Sequence, residues 1–460
     1  MRSMTKIFLL CLSALVMTMT AGAQSSPTNF PAWLTRPLSL IDSLNTALEQ
    51  NAAIVEAKND LETSRGLVIE TRAVALPQLQ ATSQYKYTQP SDIQPFTING
   101  STISSPDQNW NAGIQLVQSI YLGGRLTAAF RAATATEKQA LANYETSVAD
   151  ALLNVRLAYY DVLLAAQEIT VHEASVNLLD KELTDQQQRL KAGTVPRFNV
   201  LRAHVAVANE RPNLIQARNN YRIAKNNLAN VLGYNLPHDV WEDIPLNLTD
   251  GFDDAPFQID LPDAIQQALT RRSELLSLRK NVELQQLNII NAKSGYKPSV
   301  SVFAGYNWFN EQYPPTVESQ VSLNNDLSGW NAGAQLSWNI FDGLLTPGKI
   351  KQARAQYDKS RTVLEDQSRQ IELQVRTAYS DLIQARETLD SQRTVQEEAE
   401  EALREARQRA EAGTGTQLDV LDAETSLTQA RTTQIQALHD YATARARFER
   451  AVGTDLRPVK

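Results

Sequence analysis

Two carboxylates, Asp419 and Asp422, stand three residues apart just past the run Gly413-Thr414-Gly415-Thr416, so a helix starting there would carry them on one face. Acids in an early helical turn favour the positive end of the helix dipole by about 0.3 to 1 kcal/mol, which is the chemistry this pair supports on its own. Gly343-x-x-x-x-Gly348-Lys349-Ile350 has the outline of a phosphate-binding loop between a strand and a helix. It lacks the Ser or Thr that would hold Mg²⁺ after the lysine, and the matching turn Gly123-Gly124-Arg125 lacks the motif, so nucleotide binding is not expected. His172, His204, His238 and His439 show no metal-ligand spacing, and neither Gly-x-Ser-x-Gly nor His-Glu-x-x-His occurs. The chain is therefore expected to be neither an enzyme nor the holder of a cofactor. Charges such as those from Glu397 to Arg409 read as a solvated helix face.

Arg2 and Lys6, the apolar run Ile7 to Val16 and the small residues Ala21-Gly22-Ala23 make residues 1–23 a secretory signal peptide. Cys11 is a poor lipid-anchor site, because bulky Leu10 precedes it and the apolar stretch ahead of it is short. It is the only cysteine, so the mature chain is thiol-free and suits an oxidising compartment. Cleavage takes the formal charge from −7 to −9, and with no basic block nucleic acid is not an expected partner. After the leader no run of about 18 apolar residues occurs, so helical membrane spans are absent from the sequence pattern. A chain of this kind can enter a membrane only as strands of a closed barrel.

The chain is written twice. Trp110-Asn111-Ala112-Gly113-x-Gln115-Leu116 returns as Trp330-Asn331-Ala332-Gly333-x-Gln335-Leu336, Val155-Arg156-x-Ala158-Tyr159-x-Asp161 as Val375-Arg376-x-Ala378-Tyr379-x-Asp381, and Ala192-Gly193-Thr194 as Ala412-Gly413-Thr414. Gly233 meets Gly453 at the same offset of 220, and upstream Leu40, Asp42 and Pro77 meet Leu261, Asp263 and Pro298 at 221. Two copies of one architecture follow, 24–240 and 260–460, with 241–259 as linker.

Each copy opens with a helical stretch, about 39–75 and about 260–295, then a proline, then strict alternation. Leu79, Ala81, Ser83, Tyr85 and Tyr87 share one parity against Gln80, Thr82, Gln84 and Lys86, and Trp110, Ala112, Ile114 and Leu116 oppose Asn109, Asn111, Gly113 and Gln115. In the second copy Val300, Val302, Ala304, Tyr306 and Trp308, then Trp330, Ala332, Ala334, Leu336 and Trp338, form the apolar parity. Period-two segments of about 10 residues with aromatic ends are what barrel strands require, placing β-hairpins near 77–120 and 298–340. Residues 125–192 and 349–412 then contain neither Gly nor Pro, and each could span about 100 Å as a helix. Leu141, Tyr144, Val148, Leu152, Val155, Tyr159, Val162, Ala166 and Ile169 step by three or four, the period of coiled-coil packing. Gly193 and Gly413 end these helices, which return through 197–232, with a bend expected at Pro212, and 416–452. The helical hairpins run from about 124 to 232 and from about 347 to 452, and the stretch from Gly233 to Asp260 is expected to pack around their middle.

Four strands cannot close a barrel, which needs about eight or more, so strands must be shared between copies. Two copies give eight strands, a barrel packed with side chains, and three give twelve, which leaves room for a conduit. This order of helix, β-hairpin and long helical hairpin, the Ala-Gly-Thr turns and the run from Gly413 to Ala423 resemble the TolC-type outer-membrane efflux proteins, over essentially the whole mature chain. The resemblance implies a fold that is mainly α with a β-barrel portion: a homotrimer in outer-membrane lipid, with a twelve-stranded barrel above a periplasmic helical tunnel. The tip of that tunnel would be docked by a periplasmic adaptor and an inner-membrane transporter. It implies a gate at Asp419 and Asp422, where several chains would present carboxylate rings that favour cations. Gly193, Thr194, Val195, Phe198, Val200 and Leu201, with Gly413, Thr414, Leu418, Val420 and Leu421, are then candidate docking tips; their other reading is packing inside the hairpin. Gly415 stands where an arginine can follow Gly-Thr in the family, and Asn199 stands in the first copy where Asp419 stands in the second, so a specific ion-pair lock is not carried over. The expected function is a passive exit duct for efflux or type I secretion. The alternative is a periplasmic coiled-coil scaffold that conducts nothing.

Overall fold

The computed structural model describes residues 37–89, 96–98, 101–103, 106–234, 244, 246–252, 260–313, 323–455 and 457. The leader with Cys11, together with His238 and Trp241, lies outside the described residues.

Ser39 opens helix α1 (Leu40–Gln50) through a capping box with Asp42. The expected single helix over 39–75 is broken at Asn51, which is extended at ψ 127° and separates α1 from α2 (Ala52–Ala73). The Asn51 side chain explains the break. Its oxygen accepts from the Ala53 and Ile54 amides at 3.0 and 3.3 Å, while its Nδ2 donates to the Val231 carbonyl at 2.7 Å. One side chain thus caps the start of α2 and the end of a helix arriving from elsewhere. In the second half Arg272, extended at ψ 123°, holds the same station between α5 (Leu261–Arg271) and α6 (Ser273–Lys293).

The strands are β1 (Gln78–Tyr87), β4 (Gln108–Leu122), β5 (Ser299–Tyr313) and β6 (Leu323–Ser337), with a short ribbon of β2 (Phe96–Ile98) and β3 (Ser101–Ile103) between the first two. They form one antiparallel sheet in the order β1-β4-β5-β6, so the middle joint pairs a strand of each repeat. The register places Ala81, Ile114, Tyr306 and Trp330 in one row across the sheet, and Leu79, Leu116, Ala304 and Ala332 in the next. The apolar parity of all four strands therefore makes one face. The opposite face carries Gln80, Gln115, Gly305 and Asn331, interrupted by Phe303, which lies over Gly333, and by Phe309. A bulge between Ser119 and Tyr121 bends β4 near its end. Among the described residues, β1 and β6 each keep one edge without a strand beside it.

Four long helices follow the hairpins: α3 (Arg125–Lys191) and α7 (Leu345–Glu411), each of 67 residues, and α4 (Arg197–Leu232) and α8 (Gln417–Val452), each of 36. At 1.5 Å per residue the long members reach about 100 Å and the short ones about 54 Å. The short helices therefore cover only half of their partners, and α2 and α6 cover the rest. α4 stays continuous through Pro212. It ends at Gly233, φ 84°, where a Cβ would strike the Gln50 carbonyl, so the end of α4 abuts the start of α2. The helix α7 begins two residues earlier than expected, taking Pro347 into its first turn, where the missing N–H costs nothing. The phosphate-loop look-alike is that helix start, and its Thr346 amide already donates to the Asp342 carboxylate at 2.9 Å.

The core follows the coiled-coil spacing. Val148, Leu152, Val155, Tyr159 and Val162 are buried with Leu228 and Leu232 of α4, whereas Leu141 remains exposed. The link contributes Ile244 and Leu246 to this core, and the buried Lys225 ammonium donates to the Ile244 carbonyl at 2.8 Å. Tyr159 donates to the Leu38 carbonyl at 3.2 Å and accepts from the Asp250 amide at 3.3 Å, and burial pushes its phenol up to about 12. The second repeat builds its own core from Leu275, Ile371, Val375, Tyr441 and Phe448.

Candidate functional site at the hairpin tips

At the end of α3 the Gly193 amide bonds to the Leu190 carbonyl at 3.0 Å and the Thr194 amide to the Arg189 carbonyl at 2.9 Å, with Gly193 at φ 73°. This is the left-handed closure that makes Gly the fitting residue there. The second tip repeats it with Gly413 at φ 75°, and both the Thr414 and Gly415 amides bond to the Arg409 carbonyl, at 3.0 and 2.9 Å. Gly415 presses on the last turn of α7, where a Cβ would come within 2.9 Å of the Arg409 Cβ. A Cβ at position 415 would crowd this tightened turn, which fits the glycine found there.

Asp419 closes a capping box: its carboxylate accepts from the Thr416 amide and hydroxyl, both at 2.8 Å, and its amide donates back to the Thr416 hydroxyl at 3.3 Å. The Thr416 amide, then its hydroxyl, hold this exposed carboxyl below its ordinary pKa. Asp422, one turn on, is exposed and lines a groove between α4 and α8. That groove of about 680 Å³ is floored by Leu179 of α3 and walled by Phe198, Leu201 and Val205 of α4 and Leu418 of α8. Phe198 is 63 % and Leu201 53 % exposed, and the turn residues Gly193, Thr194, Gly413 and Thr414 also face solvent. Val195 and Val200 are half-buried.

Val420 and Leu421 correct the expectation. Both are buried, Val420 against Leu403 and Leu427, and Leu421 against Leu179 and Val207, so they join helices of this chain and are not docking surface. Sequence reasoning also missed Glu424, 2 % exposed, whose Oε1 accepts from Arg407 at 3.0 Å across the tip. The only trace of it in the sequence is an acid at an apolar position of the α8 stripe. Far above the tips a second buried cluster ties four helices: Arg450 of α8 reaches Asp150 of α3 at 2.7 Å and Glu274 of α6 at 2.6 Å, while Arg272 holds Glu274 at 2.6 Å and Gln374 of α7 at 2.8 Å. Among the described residues no cluster of acids, histidines or cysteines could hold a metal.

Paired long helical hairpins under a sheet with one apolar face define a membrane-inserted tunnel subunit. The model of the family described as outer membrane efflux protein matches residues 43–234 and again 264–454, one match per repeat, and the chain belongs to that family. Outer membrane protein TolC of Escherichia coli (strain K12) is 24% identical over 396 residues, covering 84% of this chain and 76% of that protein. Proteases secretion protein PrtF of Dickeya chrysanthemi is 21% identical over 385 residues, covering 84% and 81%. In fold the chain is similar to the Campylobacter jejuni CmeC outer membrane channel, with a TM-score of 0.75 at 16% identity over 90% of this chain and 85% of that one. It is also similar to the open state of the Neisseria gonorrhoeae MtrE outer membrane channel, with a TM-score of 0.72 at 18% identity over 91% and 89%. The protein resides in the outer membrane with a periplasmic tunnel and serves as an exit duct for efflux. Its family is one of transport channels, which decides against the non-conducting scaffold.

Proposed function

We propose that three copies close a twelve-stranded barrel over a ring of helical hairpins, and that a periplasmic adaptor and an inner-membrane transporter open this ring at its tips. The sheet carries the reading: four strands with one apolar face and free edges at β1 and β6 are stable in lipid only when further copies pair those edges. Among the described residues no nucleotide-binding site is built, and the driving energy comes from the transporter. Cleavage after residue 23, two repeats over 24–240 and 260–460, and a link over 241–259 complete the assignment.

At the tip, Asp422 is the selectivity group, because its carboxylate is exposed in the groove and, among the described residues, unengaged, while that of Asp419 is held in the helix cap. Gly193, Thr194, Val195, Phe198, Val200, Leu201, Gly413, Thr414 and Leu418 form the surface on which an adaptor docks. Planar-bilayer conductance of the detergent-extracted oligomer tests both parts. Discrete cation-preferring steps are expected, with the preference weakened several-fold by Asp422→Asn and much less by Asp419→Asn. An inserted oligomer of other than three chains overturns the barrel count, and conductance without cation preference overturns the tip assignment.

A further inference from the structure

Glu424 is a buried acid in the seam where the two hairpins meet, and the duct reading does not use it. It lies one turn beyond Val420, between residues that pack against α7 and residues that pack against α3. One carboxylate oxygen accepts from Arg407 of α7, inside its own hairpin, while Oε2 is buried and, among the described residues, without a hydrogen-bond partner. The facing turn of α3 carries Glu182 and Gln186. Gln186 is 5 % exposed and donates through Nε2 to Glu182 at 2.9 Å, which leaves its Oε1 buried and also without a partner among the described residues. Two buried acceptor atoms in one seam call for a proton.

The remaining charges around the seam are engaged or lie at the surface. Asp185 of α3 is held by Arg189 at 2.7 Å, and His172 of α3 is paired with Glu210 of α4 at 2.7 Å. Arg202 of α4 lies over the Phe198 ring at 5.6 Å, and Asp422 of α8 is exposed. Burial first, and Glu182 in addition, raise the Glu424 pKa above its ordinary value against the pull of Arg407. Besides the apolar contact of Leu421 with Leu179 and Val207, Thr428 donates to Ser175 at 3.1 Å and Gln417 to the Asn199 carbonyl at 3.2 Å between the hairpins at this level.

We propose that Glu424 is the proton-binding site of a clasp between the two hairpins, closed when the carboxyl is protonated and loosened when it ionises. Protonated, Oε2–H donates to an acceptor of α3, with Gln186 Oε1 the one in want of a donor, and the second hairpin is tied to the first just above the tips. Ionised, the group is held only by Arg407 of its own hairpin and repels Glu182. When the hairpins part, water reaches Glu424 and its pKa returns to the ordinary range. Parting therefore releases a proton, and acidification favours the clasped state over a pH window that begins at the ordinary carboxylate pKa and extends above it.

The test measures spin-label distances by pulsed electron resonance in the full-length, detergent-extracted oligomer. Thr184→Cys on α3 and Ser426→Cys on α8 are exposed, and the mature chain has no other thiol. The short-distance population should grow on acidification. Glu424→Gln, which keeps the shape and a donor, should hold it at the acid value at every pH, and Glu182→Gln should move the transition to lower pH. A distribution that ignores pH, or a Glu424→Gln protein that still responds to it, overturns the proposal. The clasp rests on the tunnel architecture but not on conduction. A protein that inserts and fails to conduct would count against the duct while leaving this readout intact, and circular dichroism of each variant separates misfolding from loss of the clasp.

Discussion

Burial alone would raise the pKa of Glu274, yet the guanidinium groups of Arg272 and Arg450 outweigh it and hold the carboxyl at about 2. A carboxyl depressed in the folded state contributes stability above its ordinary value of 4.5 and loses it as pH falls toward about 2. The contribution is on the order of 3 kcal/mol. Arg450→Ala removes one of the two guanidinium groups and the tie to Asp150, and should cost about 2 to 4 kcal/mol in thermal unfolding near neutral pH. It should also bring the acid-induced loss of stability to a higher pH, because Glu274 then ionises less readily. Melting curves at several pH values check both, and a variant that melts like wild type would place the network outside the stability account. None of this was readable from spacing, since the partners of Arg450 lie 176 and 300 residues away in the chain. The same limit hid Glu424, and it made Val420 and Leu421 look like surface: a stripe of apolar residues beside a turn does not say which of two neighbouring helices will cover it.

The Gly that follows each of the four long helices was a clear signal in the sequence, because left-handed closure is the ordinary reason for a Gly at such a helix end. Four of these positions nevertheless differ in what surrounds them. Gly193 and Gly413 have open space where a Cβ would sit, Gly453 has the Arg272 side chain at 3.3 Å, and Gly233 has the backbone of Gln50. Gly193→Ala should therefore cost only the left-handed penalty of about 1 to 2 kcal/mol. Gly233→Ala should cost clearly more, since the end of α4 must also move off the start of α2. Thermal unfolding of the two variants side by side decides it, and equal losses would mean that the abutment of α4 on α2 carries no load. The breaks at Asn51 and Arg272 escaped the sequence reading for a related reason. Helical periodicity runs on through both, and each break is held in part by an acceptor from a distant element, the Val231 carbonyl at Asn51 and the Gln374 side-chain oxygen at Arg272.

Across the whole molecule the duplication and the alternation were enough to foresee the architecture: long hairpins under one sheet, with apolar residues on one face. They did not foresee Phe303 and Phe309 on the polar face, where alternation yields to cross-strand packing such as that of Phe303 on Gly333. In the proposed barrel the apolar face meets lipid and every copy carries the change, so Ile114→Arg should cost about 2 to 4 kcal/mol per copy. Gln115→Arg, the next residue on the opposite face, should be tolerated. The share of each variant recovered in the outer-membrane fraction tests this, and equal recovery would reverse or abolish the assignment of faces.

Inside the chain, β4 and β5 join the second strand of one unit to the first strand of the next. A neighbouring copy that adds its β1 to β6 makes a joint of that same kind, so in a closed ring every other joint is covalently tethered by the link between repeats. Tethered joints form within one chain and do not depend on its concentration, whereas the others await a collision between chains. Duplication has thus halved the number of encounters that closure requires, and the slow, concentration-dependent step of assembly falls on one strand pair, β6 with β1.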